Sequence, residues 1–145
     1  MLPLAPLHPR LVHFPVALLL VGSAMALAYI IGWRRPALPA LAWSMLLIGW
    51  VAIFPAVLTG LADQNQAAQD PPIVAILNPH IAVGFGLIAV YGVLLYERLR
   101  DAKALDDRRR RIVILVLLVV GMALVAVEGW LGGKLVYDLG VGVRR

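Results

Sequence analysis

The sequence contains no cysteine among its 145 residues, and only 14% of its residues are charged. The absence of cysteine excludes disulfide bonds, thiolate metal sites, iron–sulfur clusters, covalently attached haem c and cysteine nucleophiles. Apolar residues make up 62% of the chain, whereas a soluble domain carries about 45–50% apolar and about 25% charged residues. The composition therefore predicts a membrane protein, and the length predicts a single domain over residues 1–145.

Sequence signatures of several enzyme classes are also missing. The chain has no P-loop, no dinucleotide fingerprint, no HExxH zinc motif and no GxSxG nucleophile elbow. The segment 106–111 contains four arginines and two aspartates, so it contributes +2 of the net charge of +5, and it adjoins an apolar stretch. Such a segment is typical of a cytoplasmic membrane anchor. The sequence thus favours a protein that is not an enzyme and does not bind nucleic acid.

Four apolar stretches are long enough to cross roughly 30 Å of hydrocarbon at about 1.5 Å per residue. Each must be helical, because a lone strand in lipid would leave its backbone amides unpaired. The short connections favour antiparallel neighbours. The predicted fold is therefore an all-α, polytopic membrane protein, an antiparallel four-helix bundle with spans at Leu11–Ile31, Leu38–Leu61, Ile73–Tyr96 and Ile112–Leu131.

The distribution of lysine and arginine predicts the orientation of these spans. The connection after the first span contains Arg34 and Arg35, and the connection after the third contains a dense basic cluster, but Ala62–Pro72 contains no basic residue. Basic loops stay in the cytoplasm. We therefore expect both termini and the loop Ala62–Pro72 to lie outside, on the periplasmic side of a bacterial inner membrane.

Five ionisable residues are expected near the outer ends of the spans: His8, His13, Asp63, His80 and Glu128. An ionisable side chain inside a span costs roughly 2.5–3.5 kcal/mol at the bilayer centre and less near the interface, so it usually faces the bundle interior with a partner. A layer of such residues shared by four helices is a candidate site. It lies in the leaflet opposite the basic loops.

Two kinds of cofactor suit this layer. His13 and His80 are expected on different helices at comparable depth, as the two axial ligands of a haem b must be. A smaller copper or zinc site would use His8, His13 and His80, with Asp63 or Glu128 as an oxygen ligand or as an acceptor for an imidazole N–H.

Each of these residues also has a purely structural interpretation. His8 and His13 lie near a helix start, where histidine often caps the helix or contacts lipid headgroups. His80 follows Pro79, which frees a backbone carbonyl that an imidazole can pair with. Asp63 and Glu128 are natural partners for Lys134, for a histidine or for backbone amides.

Three segments and His80 carry a resemblance to the domain-of-unknown-function 2231 family of four-span bacterial membrane proteins. The segments are Leu7–Leu18 (LHPRLVHFPVAL), Pro55–Asp63 (PAVLTGLAD) and Gly132–Val143 (GGKLVYDLGVGV). Some similar proteins are fused to cytochrome c-type modules, and the resemblance therefore implies a redox role. Members often carry histidine at the position of Leu139, so this chain lacks one possible ligand of the family.

The leading hypothesis is an accessory redox subunit that holds haem b or a metal ion and works with other membrane or redox proteins. The alternative is a structural or assembly subunit of a larger membrane complex without a cofactor. A solute channel is disfavoured, since the inner half of the spans offers few polar residues. The glycine-rich tail 132–145 is expected to fold over the outer face of the bundle.

Overall fold

The computed structural model describes residues 7–64, 70–101, 105 and 107–142, and these residues form helices without any strand. The predicted all-α fold class is confirmed. A short helix precedes four long ones, and a π-helical turn follows the last. The elements are α1 (His8–Leu11), α2 (His13–Ile30), α3 (Ala37–Gln64), α4 (Pro71–Arg100), α5 (Arg108–Gly133) and the π-helical turn Lys134–Asp138.

Four of the described helical segments are long and apolar enough to span a membrane, and they contain between 23 and 31 residues. Less than a third of each apolar stretch is buried inside the bundle. The helices therefore present most of their apolar surface outward, where a bilayer can cover it. Pro55 and Pro79 lie within α3 and α4 and do not end either helix.

The helix ends follow from local sequence. Asp107 caps α5, because its carboxylate accepts a hydrogen bond from the backbone N–H of Arg110 at 2.8 Å. Two prolines open α4, where the missing N–H groups would have no helical partner. Between α2 and α3 the chain turns at Gly32, whose φ of +126° is disfavoured for residues with a side chain.

The bundle consists of two hairpins, which we call the first hairpin (α2 and α3, with α1 against them) and the second hairpin (α4 and α5). Helices pack more extensively within each hairpin than between the hairpins. Buried leucine, isoleucine, valine and alanine side chains from both hairpins form one core. The hydroxyls of Ser23 and Tyr91 hydrogen-bond across the hairpins at 3.0 Å, and Trp50 Nε1 donates to the carbonyl of Ile88 at 2.9 Å.

The described part of the tail continues α5 rather than leaving it. The π-helical turn Lys134–Asp138 contacts α4 as well as α5. Beyond it, Gly140 and Gly142 adopt positive φ values of 68° and 76°, and the N–H of Val141 returns to the carbonyl of Leu135 at 2.8 Å. Residues 143–145 lie outside the described residues, and coverage of the outer face by the tail stays a prediction.

Candidate functional site

The polar side chains of the spans meet at one end of the bundle, where α2 and α4 begin and α3 and α5 end. We call this the histidine end. His8, His80 and Glu128 form a cluster there, and Asp63 lies beside it. The three members of this histidine cluster come from α1, α4 and α5. Both hairpins therefore contribute to the same site.

The imidazole of His8 is anchored on α3. Its Nδ1 lies 2.7 Å from the carbonyl oxygen of Ala56, and its backbone N–H points to Asp63 Oδ2 at 3.4 Å. A carbonyl oxygen only accepts, so Nδ1 carries the hydrogen and Nε2 keeps its lone pair in the neutral ring. Gly60 makes room for this arrangement, since a Cβ at that position would lie 2.9 Å from Nδ1 of His8.

His80 and Glu128 form a partly buried pair between α4 and α5. Nδ1 of His80 lies 3.2 Å from Oε1 of Glu128, and the two side chains are only 12% and 17% exposed. The two atoms are within ion-pair distance, but their angle does not meet hydrogen-bond geometry. The other carboxylate oxygen, Oε2, is buried and has no hydrogen-bond partner among the described residues. Polar atoms in this position are costly unless a partner compensates them.

Each member of this pair packs against a glycine on the opposing helix. A Cβ on Gly132 would lie 3.4 Å from Cε1 of His80, and a Cβ on Gly84 would lie 3.4 Å from Oε1 of Glu128. Each glycine follows the ionisable residue of its own helix by four positions, so the two lie on the same helix face. Because α4 and α5 run antiparallel, His80 meets Gly132 and Glu128 meets Gly84.

The contact between His8 and His80 connects the two hairpins at this end. Their ring centroids are 5.9 Å apart, and the ring planes are inclined at 83°. This is an edge-to-face arrangement within the range usual for aromatic pairs. The imidazole of His8 is thus fixed by the first hairpin, and the imidazole of His80 lies beside the Glu128 carboxylate of the second hairpin.

A partly open cavity of about 50 Å³ extends from this cluster toward the middle of the bundle. His8 and Glu128 border it at the histidine end, and apolar side chains from both hairpins form most of its wall. His80 adjoins this polar border through its contacts with both residues. The site therefore combines a polar end with an apolar interior.

The sequence-predicted residues divide into two groups. His8, His80 and Glu128 lie together, and Asp63 contacts the backbone of His8 rather than its ring. His13 is exposed at the start of α2 and does not border the cavity. In the part of the chain that the structure describes, no three His, Asp or Glu residues form a group recognised as able to hold a metal ion. The structure therefore lends no support to the predicted five-residue metal site.

Sequence reasoning missed the backbone and glycine contributions to the site. The carbonyl of Ala56, the space at Gly60 and the carboxylate of Asp63 lie at positions i, i+4 and i+7 of α3, which is one face of a helix. The same signal appears in the four-residue spacing of His80 with Gly84 and of Glu128 with Gly132. The sequence shows these spacings, but it does not show which residues lie opposite them, because that depends on which helices pack together.

The fold and the site define an all-helical membrane protein with a histidine- and carboxylate-containing cluster at one end of its spans. A family model described as "Predicted membrane protein (DUF2231)" matches residues 4–145, nearly the whole chain. The chain belongs to this family, as its three sequence segments indicated. No curated protein and no solved structure matches it.

Proposed function

We propose that the chain is an accessory redox subunit of a membrane, with one copper ion bound by His8 and His80. The observation that carries this proposal is the contact of two imidazoles whose Nδ1 atoms each lie beside an acceptor. Histidines that bind metals usually direct one ring nitrogen to a backbone carbonyl or a carboxylate and use the other as the ligand. Ala56 supplies the carbonyl acceptor for His8, and the Glu128 carboxylate lies 3.2 Å from Nδ1 of His80, although without hydrogen-bond geometry.

The separation of the rings is compatible with a single shared ion. An imidazole nitrogen lies about 2 Å from a bound metal, so two rings that share one ion have centroids about 5–6 Å apart. The centroids of His8 and His80 are 5.9 Å apart. A bound copper ion would supply one-electron chemistry by alternating between its monovalent and divalent states.

Imidazole is a suitable ligand for copper, and the two other cofactors predicted from the sequence fit this site less well. Zinc is almost always held by four ligands in structural sites and by three protein ligands in catalytic sites. Haem b between His13 and His80 is less well supported, because His13 is exposed and the cavity measures about 50 Å³. Typical small-molecule and cofactor pockets measure about 300–1,000 Å³.

The direct test is the copper content of the purified protein. The chain is extracted in detergent, stripped with a chelator, reloaded with copper and freed of loosely bound ions by gel filtration. We expect one copper per chain, with a divalent-copper electron paramagnetic resonance signal that disappears on reduction by ascorbate and returns on reoxidation.

The His13→Ala variant serves as the matched control, because it removes an exposed histidine from the same end of the bundle. It should bind copper as the wild type does. A wild-type protein with no stoichiometric copper would contradict the proposal. A Soret band in the protein as isolated would favour the haem version instead.

We further propose that the histidine end faces the outside of a bacterial inner membrane. Arg34, Arg98 and Arg110 all lie at or just beyond the opposite ends of the helices. Basic residues flank spans mainly on the cytoplasmic side. Both termini would then be outside.

The chain has no cysteine, so introduced cysteines report the orientation without background. In intact cells, a membrane-impermeant maleimide should label the Asp70→Cys variant at the histidine end. It should label the Pro36→Cys variant, between α2 and α3, only after the membrane is permeabilised. The reverse pattern would contradict the proposed orientation.

The second candidate is a structural or assembly subunit without a cofactor. It is favoured by the small share of apolar helix surface that the bundle buries, because such surface is available to partner helices as well as to lipid. This function predicts a stable membrane complex that assembles equally well when His8→Ala and His80→Ala are combined. Loss of copper together with loss of redox activity in that variant would favour the redox subunit.

A further inference from the structure

The cavity next to the histidine cluster lies between the two hairpins. Toward the bundle centre its wall includes Leu19 of α2, Ile53 of α3, Leu87 of α4 and Val125 of α5. Leu87 is seven residues along α4 from His80, which corresponds to about 10 Å of helix. The cavity therefore begins at the polar cluster and extends inward between apolar side chains.

The size and the lining of the cavity restrict what it can hold. A water molecule in a protein interior needs two to four polar partners, and the polar lining side chains, His8 and Glu128, lie at one end. An apolar cavity of roughly 150 Å³ accommodates benzene or xenon. A volume of about 50 Å³ is a third of that, and it suits a molecule of very few atoms.

We infer that this cavity binds one small neutral apolar molecule, of the size of dioxygen, beside His8 at the histidine cluster. The bilayer can supply such a molecule, since apolar solutes leave water for hydrocarbon favourably. The inference deepens the proposed function, on which it rests for the neighbouring copper ion. Binding in the apolar part of the cavity depends only on the side chains that line it, so it can be measured on the metal-free protein.

Xenon is a suitable probe because it is neutral, monatomic and apolar. Xenon-129 nuclear magnetic resonance on the metal-free protein in detergent should show saturable binding to the wild type. The Val16→Phe variant places a larger side chain in the cavity wall and should lose this binding. The Val21→Phe variant makes the same change on the same helix at a residue that is 48% exposed, and it should bind xenon normally.

If Val16→Phe does not fold, Val57→Phe changes the cavity wall from α3 and should have the same effect. Absence of saturable xenon binding to the wild type would overturn the inference, as would binding that persists in the cavity variants. Failure of the proposed function would look different. Xenon binding without copper binding would support the cavity site and contradict the copper proposal. Copper binding without xenon binding would contradict the cavity site alone.

Discussion

The His80→Ala variant is expected to lose copper binding, with an affinity reduced by more than about 100-fold. Removal of a partner that merely supports a ligand already costs about 10–100-fold in metal affinity, and this change removes one of two proposed ligands. His8→Ala should have the same effect, because the remaining imidazole alone binds the ion far more weakly. Competition with a chelator of known copper affinity measures the change.

Two further variants separate ligand loss from general damage. His13→Ala should keep the wild-type affinity, since His13 is exposed and lies outside the cluster. Glu128→Gln keeps the shape of the side chain and removes its charge beside His80, so it should weaken binding by about 10–100-fold. Wild-type affinity in both His8→Ala and His80→Ala would show that copper binds elsewhere.

The Gly121→Ala variant is expected to destabilise the bundle by about 1–3 kcal/mol through overpacking. A Cβ on Gly121 would lie 2.7 Å from Cζ of Tyr91 and 3.0 Å from both Cε2 and Oη. Tyr91 is fully buried and hydrogen-bonds to Ser23 of the other hairpin, so its ring has little room to move. Thermal unfolding in detergent, followed by helical circular dichroism, measures the loss.

Gly129→Ala is the matched control for this substitution. Gly129 lies on the same helix, and nothing comes within 4 Å of a Cβ built there. Alanine is favoured over glycine inside a helix by about 1 kcal/mol, so Gly129→Ala should leave stability unchanged or raise it. Equal stability of the two alanine variants would contradict the tight packing of α5 against Tyr91.

The spans were predictable because hydropathy and length leave few alternatives in a membrane protein. The ends of the helices were less predictable: α3 runs on to Gln64 and α4 to Arg100, beyond the predicted span ends at Leu61 and Tyr96, since a helix can continue beyond the hydrocarbon. Hydropathy marks the apolar stretch, but the helix ends are set by local features such as the cap at Asp107 and the turn at Gly32.

The sequence does not show whether His8 or His13 joins the histidine cluster, and the reason is physical. A helix that is apolar on all sides has no hydrophobic stripe to show which face is inward. The structure turns Val12, Val16 and Leu19 toward the cavity, and His13, about 100° around the helix from Val12, is exposed. His8 reaches the cluster because it belongs to α1, which packs against α3.

The pairing of His80 with Glu128 was open to prediction in part. The predicted topology puts both residues near the same end of the bundle, and each is followed four residues later by a glycine. Which helices adjoin one another decides whether these two motifs meet, and hydropathy does not contain that information. The packing of α4 against α5 brings them together.

The central claim is that one copper ion is shared by the imidazoles of His8 and His80. X-ray absorption spectroscopy at the copper edge of the reloaded protein tests it most directly. We expect two imidazole nitrogens at about 2 Å from copper, with the outer-shell scattering of two rings. In any residual copper of His80→Ala, we expect the scattering of one ring. Bound copper surrounded by oxygen alone, or with a single imidazole in the wild type, would contradict it.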